Sequence, residues 1–163
     1  MRAVLLLPCL FVACTSTQPE SAVTLLENDA VRVIEVSFRS AAIDDVLQYR
    51  AIVPKTPASQ KLPVLYFLHG ANSGPAQVME MSEIVSLAAE KQLVVILPDG
   101  KFSYYTNACN KWHQNWEDAM TEDLLQDAEK RFPVEPGREH RGLAGLSMGG
   151  YGAAKIGLDL LAR

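Results

Sequence analysis

The sequence has little cysteine. Three cysteines occur among its 163 residues, and Cys9 and Cys14 lie in an N-terminal stretch that we expect to be removed or modified. Cys109 is then left without an intramolecular partner, which excludes an internal disulfide in the folded part of the chain. We expect Cys109 to be half-buried and inert, with a reactive thiol as the alternative.

The sequence also lacks the marks of several kinds of binding site. The net charge is −4, and the densest basic cluster, residues 138–141, is interrupted by Glu139, so nothing predicts a nucleic-acid partner. No set of residues has metal-ligand spacing, and no glycine-rich phosphate-binding loop is present. We therefore expect neither a metal nor a cofactor.

The N-terminal apolar run, residues 3–13, is too short to span a bilayer. It follows Arg2, as in a secretory signal. Its end, Phe11-Val12-Ala13-Cys14, resembles a bacterial lipobox, and residues 15–20 form a polar tether. We expect residues 1–20 to be signal and tether, with the exported protein anchored to the cell envelope by a lipid on Cys14. Signal cleavage without lipidation, giving a secreted or periplasmic protein, is the alternative.

Residues 21–163 are predicted to form one domain of α/β class. Their length and their apolar content suit a soluble core. Strand patterns alternate with helix patterns, which predicts a mostly parallel sheet with helices on both faces and two antiparallel strands at its start. The predicted strands are residues 31–38, 46–53, 63–68, 93–97 and 141–146; the predicted helices are 75–91 (in one or two pieces), 117–132 behind an Asn115 N-cap, and 148–160.

Gly145-Leu146-Ser147-Met148-Gly149 has the pattern of a nucleophile elbow. In such an elbow a serine sits in a strained backbone conformation on a tight turn between a strand and a helix. Side chains two residues before and two after the serine would collide across the turn, so both positions need glycine. The alternative is an ordinary serine in a glycine-rich turn, and the strand before it and the helix after it favour the elbow.

A serine nucleophile needs hydrogen-bond donors for the oxyanion that forms when it attacks a carbonyl group. The Met148 N–H, at the start of the predicted helix, is the first expected donor. The loop His69-Gly70-Ala71, which follows a buried strand, is expected to supply the second donor from Ala71 N–H. Gly70 would let this loop pass close to the serine.

Four motifs together resemble one known family: Leu62–Gly70, Pro98-Asp99-Gly100, Trp116 with Thr121–Leu124, and Gly145–Ala153. The chain is similar to the esterase D-type branch of the α/β-hydrolases over residues 40–160. That branch includes feruloyl and acetyl esterases, S-formylglutathione hydrolases and mycolyltransferases. The resemblance implies a serine carboxylic-ester hydrolase that forms an acyl-enzyme at Ser147, with Ala71 and Met148 at the oxyanion positions. It implies a small-molecule or carbohydrate-linked ester as substrate, and an acyltransferase using the same site is the alternative.

The sequence departs from the family's order of catalytic residues, which is serine, then an acid, then histidine. The sixteen residues after Ser147 include Asp159, which we expect to be a surface charge, but no histidine. His69, His113 and His140 all precede the serine. We therefore expect the acid and the histidine downstream of this chain, which resembles the N-terminal part of a hydrolase. Use of His69 or His113 as the base and a non-catalytic hydrolase-like domain are the alternatives.

An aromatic loop is the candidate wall of the substrate pocket. Tyr104, Tyr105 and Trp112 follow a predicted strand at the end where α/β sheets bind ligands. The alternative is that these rings pack the loop onto the body of the protein. For Trp116, at the start of a helix, packing is the expected role.

Overall fold

The computed structural model describes residues 20–109 and 114–161. Within these residues the strands are β1 (Ser21–Glu27), β2 (Val31–Ser40), β3 (Asp45–Pro54), β4 (Val64–Leu68), β5 (Val94–Pro98) and β6 (Arg141–Gly145). The α-helices are α1 (Pro75–Glu80), α2 (Ile84–Lys91), α3 (Trp116–Asp118), α4 (Leu125–Arg131) and α5 (Met148–Leu161). A π-helical stretch, Ala119–Leu124, joins α3 to α4, and a 3₁₀ turn, Arg138–His140, precedes β6.

The strands form one mixed sheet in the order β1-β2-β3-β5-β4-β6. The pairs β1–β2, β2–β3 and β3–β5 are antiparallel, whereas β4 pairs in parallel with both β5 and β6. The α/β class and the antiparallel N-terminal strands are confirmed. The parallel part is confined to the three strands that lead into the loops around Ser147, so their carboxyl ends share one edge of the sheet.

The sheet carries helices on both faces, as predicted. One core layer packs α2 against the sheet, with Ile84 and Ala88 in the same buried cluster as Val95 and Leu97, and α1 adds the partly buried Val78 and Met79. The other layer packs the π-helical stretch, α4 and α5 against the opposite face, with Met120, Leu124, Ala128 and Ile156 as its buried residues. All five residues of β5 are buried, as the continuous apolar run predicts for a strand that is covered on both faces.

Two elements differ from the sequence predictions. β1 was not predicted, because all seven of its residues are exposed and no buried stripe marks it. The predicted helix over residues 117–132 contains the π-helical stretch, and Asn115 precedes it without making a side-chain capping bond. In the π-helical stretch, Asp123 accepts hydrogen bonds from the Ser40 hydroxyl (2.6 Å) and the Ala42 N–H (3.0 Å), which ties this helix to the β2–β3 turn.

Candidate active site

Ser147 lies on a tight turn between β6, which ends at Gly145, and α5, which begins at Met148. Its φ angle is 54°, the left-handed region that is costly for a residue with a side chain. A Cβ atom at position 145 would lie 2.3 Å from the Gly149 carbonyl oxygen, and one at position 149 would lie 2.0 Å from that of Leu68. Both flanking glycines are therefore required sterically. At position 145 the clash is across the turn, as predicted, whereas at position 149 it is with the end of β4.

Ser147 is exposed at the sheet edge, and the side chain of the next residue, Met148, is buried. Met148 opens a helix of 14 residues, so its N–H points out of the helix end together with the positive end of the helix dipole. Among residues 20–109 and 114–161, no acceptor takes the hydrogen of Met148 N–H. This amide is available to an anionic group next to the serine.

Gly70, in the loop after β4, lies close to Ser147. A Cβ atom at position 70 would lie 3.4 Å from both the Ser147 Cβ and the Leu146 carbonyl oxygen. Ala71 and Ser147 line one cavity of about 380 Å³, and Ala71 N–H has no acceptor within the described part of the chain. The structure thus places Gly70 and Ala71 beside Ser147, and the amides of Ala71 and Met148 have no acceptor among the described residues.

His69 holds this loop in place and has no ring nitrogen free for Ser147. Its side chain is 1% exposed. The ring Nδ1 lies 2.7 Å from the Gly70 carbonyl oxygen, and the Gly100 N–H donates to Nε2 at 3.0 Å. Because a carbonyl oxygen only accepts and an N–H only donates, these partners assign a ring hydrogen to Nδ1 and make Nε2 the acceptor, with Asp99 Oδ1 at 3.7 Å from Nε2. The alternative that His69 is the catalytic base is wrong.

The other sequence candidates for a base or an acid lie away from the serine or outside the described residues. His140 belongs to the 3₁₀ turn that precedes β6, at the opposite end of that strand from Ser147. His113 lies outside the described residues. Asp159 is half-exposed on α5 and accepts a hydrogen bond from the Lys155 ammonium at 2.9 Å, as expected of a surface charge.

The three aromatic residues that were expected to line the pocket, Tyr104, Tyr105 and Trp112, have different outcomes. Tyr104 is 45% exposed, whereas Tyr105 is fully buried, so the prediction that Tyr105 lines the pocket is wrong. The Tyr105 ring packs under Gly100 and Gly152, and its hydroxyl donates to the His69 carbonyl oxygen at 3.1 Å. Trp112 lies outside the described residues, and Trp116 is partly buried against the core as expected.

The structure tests the prediction for Cys109 but not the one for Cys14. Cys109 is exposed, not half-buried as predicted, because it lies in the loop beyond β5 and not in an element that packs on the sheet. Cys14 lies outside the described residues.

Sequence reasoning missed most of the cavity lining beside Ser147. Phe67, Val78, Met81 and Leu146 supply apolar surface there, and Gln77 supplies an amide. Val78 and Met81 fall within the predicted helix 75–91, but nothing in the local sequence shows that this helix faces the elbow.

Two further features, a cluster of metal ligands and a membrane-spanning helix, were sought among the described residues. They contain no group of three or more histidine, cysteine or acidic side chains placed to hold a metal ion. None of the helices formed by these residues has the length and apolar content that crossing a membrane requires.

Comparison with known proteins matches most of the chain to one family. Residues 40–160 match the model of the Esterase family. The chain is 28% identical over 135 residues to an acetyl esterase of Caldicellulosiruptor saccharolyticus, an alignment that covers 77% of this chain and 50% of that protein. It is 33% identical over 135 residues to an esterase of Mycobacterium tuberculosis, which covers 79% of this chain and 29% of that protein.

Two solved structures have the same fold over most of the chain. An S-formylglutathione hydrolase from Agrobacterium tumefaciens superimposes with a TM-score of 0.74 at 24% identity, covering 87% of this chain and 56% of that one. The fluorophosphonate-binding serine hydrolase F of Staphylococcus aureus superimposes with a TM-score of 0.73 at 26% identity, covering 80% and 53%. The chain spans about half the length of the acetyl esterase and of these two structures. It belongs to the Esterase family of the α/β-hydrolases.

Proposed function

We propose that the chain carries the nucleophile and the oxyanion hole of a serine carboxylic-ester hydrolase. One observation carries this proposal: an exposed serine is held in a left-handed conformation, at a helix N-terminus, with its neighbour's amide unpaired among the described residues. Backbone strain of this kind is retained where function requires it. The family and its named esterases support the reaction class.

In the proposed reaction the Ser147 hydroxyl oxygen attacks the ester carbonyl carbon. A new C–O bond forms while the carbonyl electron pair moves onto oxygen, and Met148 N–H and Ala71 N–H donate to the resulting oxyanion. The serine proton passes through a base to the departing alcohol, and the ester C–O bond breaks. Water then attacks the acyl-enzyme by the same route in reverse, which releases the acid and restores Ser147.

The base and its acidic partner are proposed to come from outside the described residues. Both ring nitrogens of His69 already have partners, and His140 lies at the far end of β6. The family order of catalytic residues places an acid and a histidine after the elbow. A histidine supplied there would face the exposed hydroxyl of Ser147.

The cavity beside the serine favours a compact acyl group. Its volume of about 380 Å³ is at the lower end of the range for small-molecule sites. Its apolar lining comes from Phe67, Val78, Met81 and Leu146, which suits a short hydrocarbon chain. A small-molecule or carbohydrate-linked ester with a short acyl group is the substrate class that we propose.

Labelling with a fluorophosphonate, applied to the full-length protein that includes the proposed downstream acid and histidine, tests the nucleophile directly, because the probe forms a covalent bond with a serine that such a base activates. We expect one adduct, located at Ser147 by peptide mass spectrometry and absent from Ser147→Ala. Ser73→Ala is the matched control, since Ser73 lines the same cavity, and it should label normally. Absence of an adduct at Ser147, or equal labelling of Ser147→Ala, would overturn the proposal.

A non-catalytic hydrolase-like binding domain is the second candidate, favoured by the occupied ring of His69. Turnover of an activated ester separates the two. Hydrolysis that disappears in Ser147→Ala favours the esterase, whereas equal rates in both proteins favour the binding domain.

Export and lipid anchoring at Cys14 are proposed from the sequence alone. Intact-mass analysis of the protein expressed with its N-terminus in a bacterial host tests them. A mature chain that begins at Cys14 with acyl groups attached supports the anchor, and an unmodified cysteine or cleavage elsewhere contradicts it.

A further inference from the structure

Three exposed aromatic rings form a continuous row beside the elbow. Phe102, Tyr104 and Tyr151 are 61%, 45% and 54% exposed. The ring centroids of Phe102 and Tyr104 lie 5.5 Å apart and those of Tyr104 and Tyr151 lie 6.1 Å apart, both edge to face. We call these three residues the aromatic row. Contiguous apolar surface of this kind, left open to solvent, marks binding sites.

The aromatic row begins one helical turn from the nucleophile. Tyr151 is the fourth residue after Ser147, and its N–H donates to the Ser147 carbonyl oxygen at 3.0 Å. Ser147 immediately precedes α5, so this backbone hydrogen bond places Tyr151 in the first turn of the helix that follows the nucleophile.

The backbone is strained in the loop that presents Tyr104. Lys101, Tyr104 and Tyr105 have φ angles of 51°, 55° and 56°. Left-handed conformations are uncommon for residues with bulky side chains, and they persist only where surrounding contacts impose them.

Tyr105 supplies those contacts. Its ring is so close to Gly100 and Gly152 that a Cβ atom there would come within 2.2 Å and 2.7 Å of it. Its hydroxyl donates to the His69 carbonyl oxygen. The buried Tyr105 fixes the strained turn, and the adjacent Tyr104 is thereby held outward against Tyr151.

The geometry of ester cleavage indicates which part of a substrate meets the aromatic row. The carbonyl carbon bonded to Ser147 bears two substituents, the acyl chain and the alcohol. The cavity that contains Ala71 takes one of them, and none of Phe102, Tyr104 and Tyr151 lines that cavity. The alcohol has to leave the site, and the rings of the aromatic row are open to solvent and lie outside that cavity.

We propose that Phe102, Tyr104 and Tyr151 bind the alcohol portion of the ester and select alcohols that carry a ring. A flat ring can pack on exposed aromatic faces or edges, and such pairs add to affinity beyond simple area burial. This inference depends on the proposed role of Ser147 as nucleophile, because that role defines an alcohol side. It assigns a specificity-determining function to Tyr151 and Phe102.

Titration of the full chain with benzyl alcohol and with n-pentanol, followed by amide chemical shifts, tests the inference. We expect benzyl alcohol to bind more tightly, with its largest shifts at residues 102, 104 and 151. Tyr104→Ala and Tyr151→Ala should each weaken benzyl alcohol binding about threefold to tenfold. Tyr151→Phe should bind as the unaltered protein does. Leu158→Ala, which removes another exposed apolar side chain from α5, should have no effect.

Equal affinity for the two alcohols, shifts centred on Ala71 and Val78, or no loss in Tyr151→Ala would overturn the inference. The fluorophosphonate assay separates this failure from failure of the proposed function. Normal labelling of Ser147 without a preference for the ring would overturn the inference alone. Absence of labelling would overturn the proposed function and, with it, the assignment of the bound ring as a substrate alcohol.

Discussion

Gly149 lies directly against the carbonyl group of Leu68, so that a Cβ atom at position 149 would come within 2.0 Å of the Leu68 oxygen. Leu68 is the last residue of β4 and Gly149 is in the first turn of α5. This contact joins the loop that carries Ala71 to the helix that carries Met148. The close contact between the backbones of Gly149 and Leu68 thus fixes the two segments that carry the proposed oxyanion donors.

Gly149→Ala should destabilise the protein strongly, because neither the Leu68 carbonyl group nor the helix can move without disturbing the elbow. We expect a loss of roughly 3 kcal/mol or more in the free energy of unfolding, measured by urea denaturation. Gly157→Ala is the matched control in the same helix, where a methyl group meets no atom within 4 Å. It should stabilise by about 0.5–1 kcal/mol, since alanine favours helix. Equal effects of the two substitutions would contradict the steric account.

Tyr66→Phe should stabilise the fold. The Tyr66 hydroxyl is buried and has no hydrogen-bond partner among the described residues, and an unsatisfied buried hydroxyl costs roughly 1–3 kcal/mol. Tyr49 provides the contrast, because its hydroxyl donates to the Asp127 carboxylate at 2.7 Å. Urea unfolding near pH 7 should show Tyr66→Phe more stable than the unaltered chain and Tyr49→Phe less stable. A loss of stability in Tyr66→Phe would show that its hydroxyl has a partner.

The buried tyrosines should make the fold unstable at alkaline pH. Burial raises the pKa of the phenols of Tyr49, Tyr66 and Tyr105 above the ordinary value of about 10. Above that pH the unfolded chain releases phenolic protons that the folded chain still holds, so the free energy of unfolding falls as pH rises. Below about pH 9 these phenols stay protonated in both states, so they do not change the free energy of unfolding with pH. Urea unfolding across this range should show that the free energy of unfolding falls less steeply with pH in Tyr66→Phe than in the unaltered protein. Equal pH dependence in the two proteins would show that Tyr66 does not contribute to the alkaline instability.

Lys155 and Glu117 form an ion pair that joins α5 to the start of α3. Glu117 is 7% exposed, and hydrogen bonds to Glu117 and Asp159 raise the pKa of Lys155 to about 12. Lys155→Met leaves the Glu117 carboxylate without this partner, and we expect a loss of about 1–3 kcal/mol near pH 7, less than for a fully buried pair because the Lys155 side chain is partly exposed.

The double variant Glu117→Gln with Lys155→Met tests the cause of that loss. It should recover part of the lost unfolding free energy, because a neutral amide is less costly to bury than an unpaired carboxylate. A double variant at least as unstable as Lys155→Met would show that the loss of stability comes from the packing of the Lys155 side chain and not from its charge.

The local chain was sufficient to predict the elbow pattern, because the clash that requires Gly145 arises within a few residues of Ser147, at the Gly149 carbonyl group. The clash that requires Gly149 is with Leu68 at the end of β4, a contact that the local sequence does not show. β5 was equally clear, since burial on both faces leaves a continuous apolar run. The loop through Gly70 was placed beside the serine because it follows a buried strand, the position from which the elbow motif draws its second oxyanion donor.

The parts that the sequence did not reveal depend on contacts between distant segments. Tyr105 is buried by Gly152, which lies on α5, and a tyrosine in a loop looks the same in sequence whether it packs inward or faces a pocket. The π-helical stretch, Ala119–Leu124, changes the register of a helix whose apolar spacing still fits an α-helix. The exposure of Cys109 and the pairing of β1 with β2 are likewise set by tertiary structure.

The amide chemical shifts of Ala71 and Met148 before and after fluorophosphonate labelling test the central claim most directly. A phosphonyl oxygen on Ser147 occupies the place of the oxyanion, so new hydrogen bonds to it would move both amide proton signals downfield. We predict that both shift on labelling, while the Gly152 amide, inside α5, changes little. A Ser147 adduct that leaves the amide protons of Ala71 and Met148 unmoved would contradict the account.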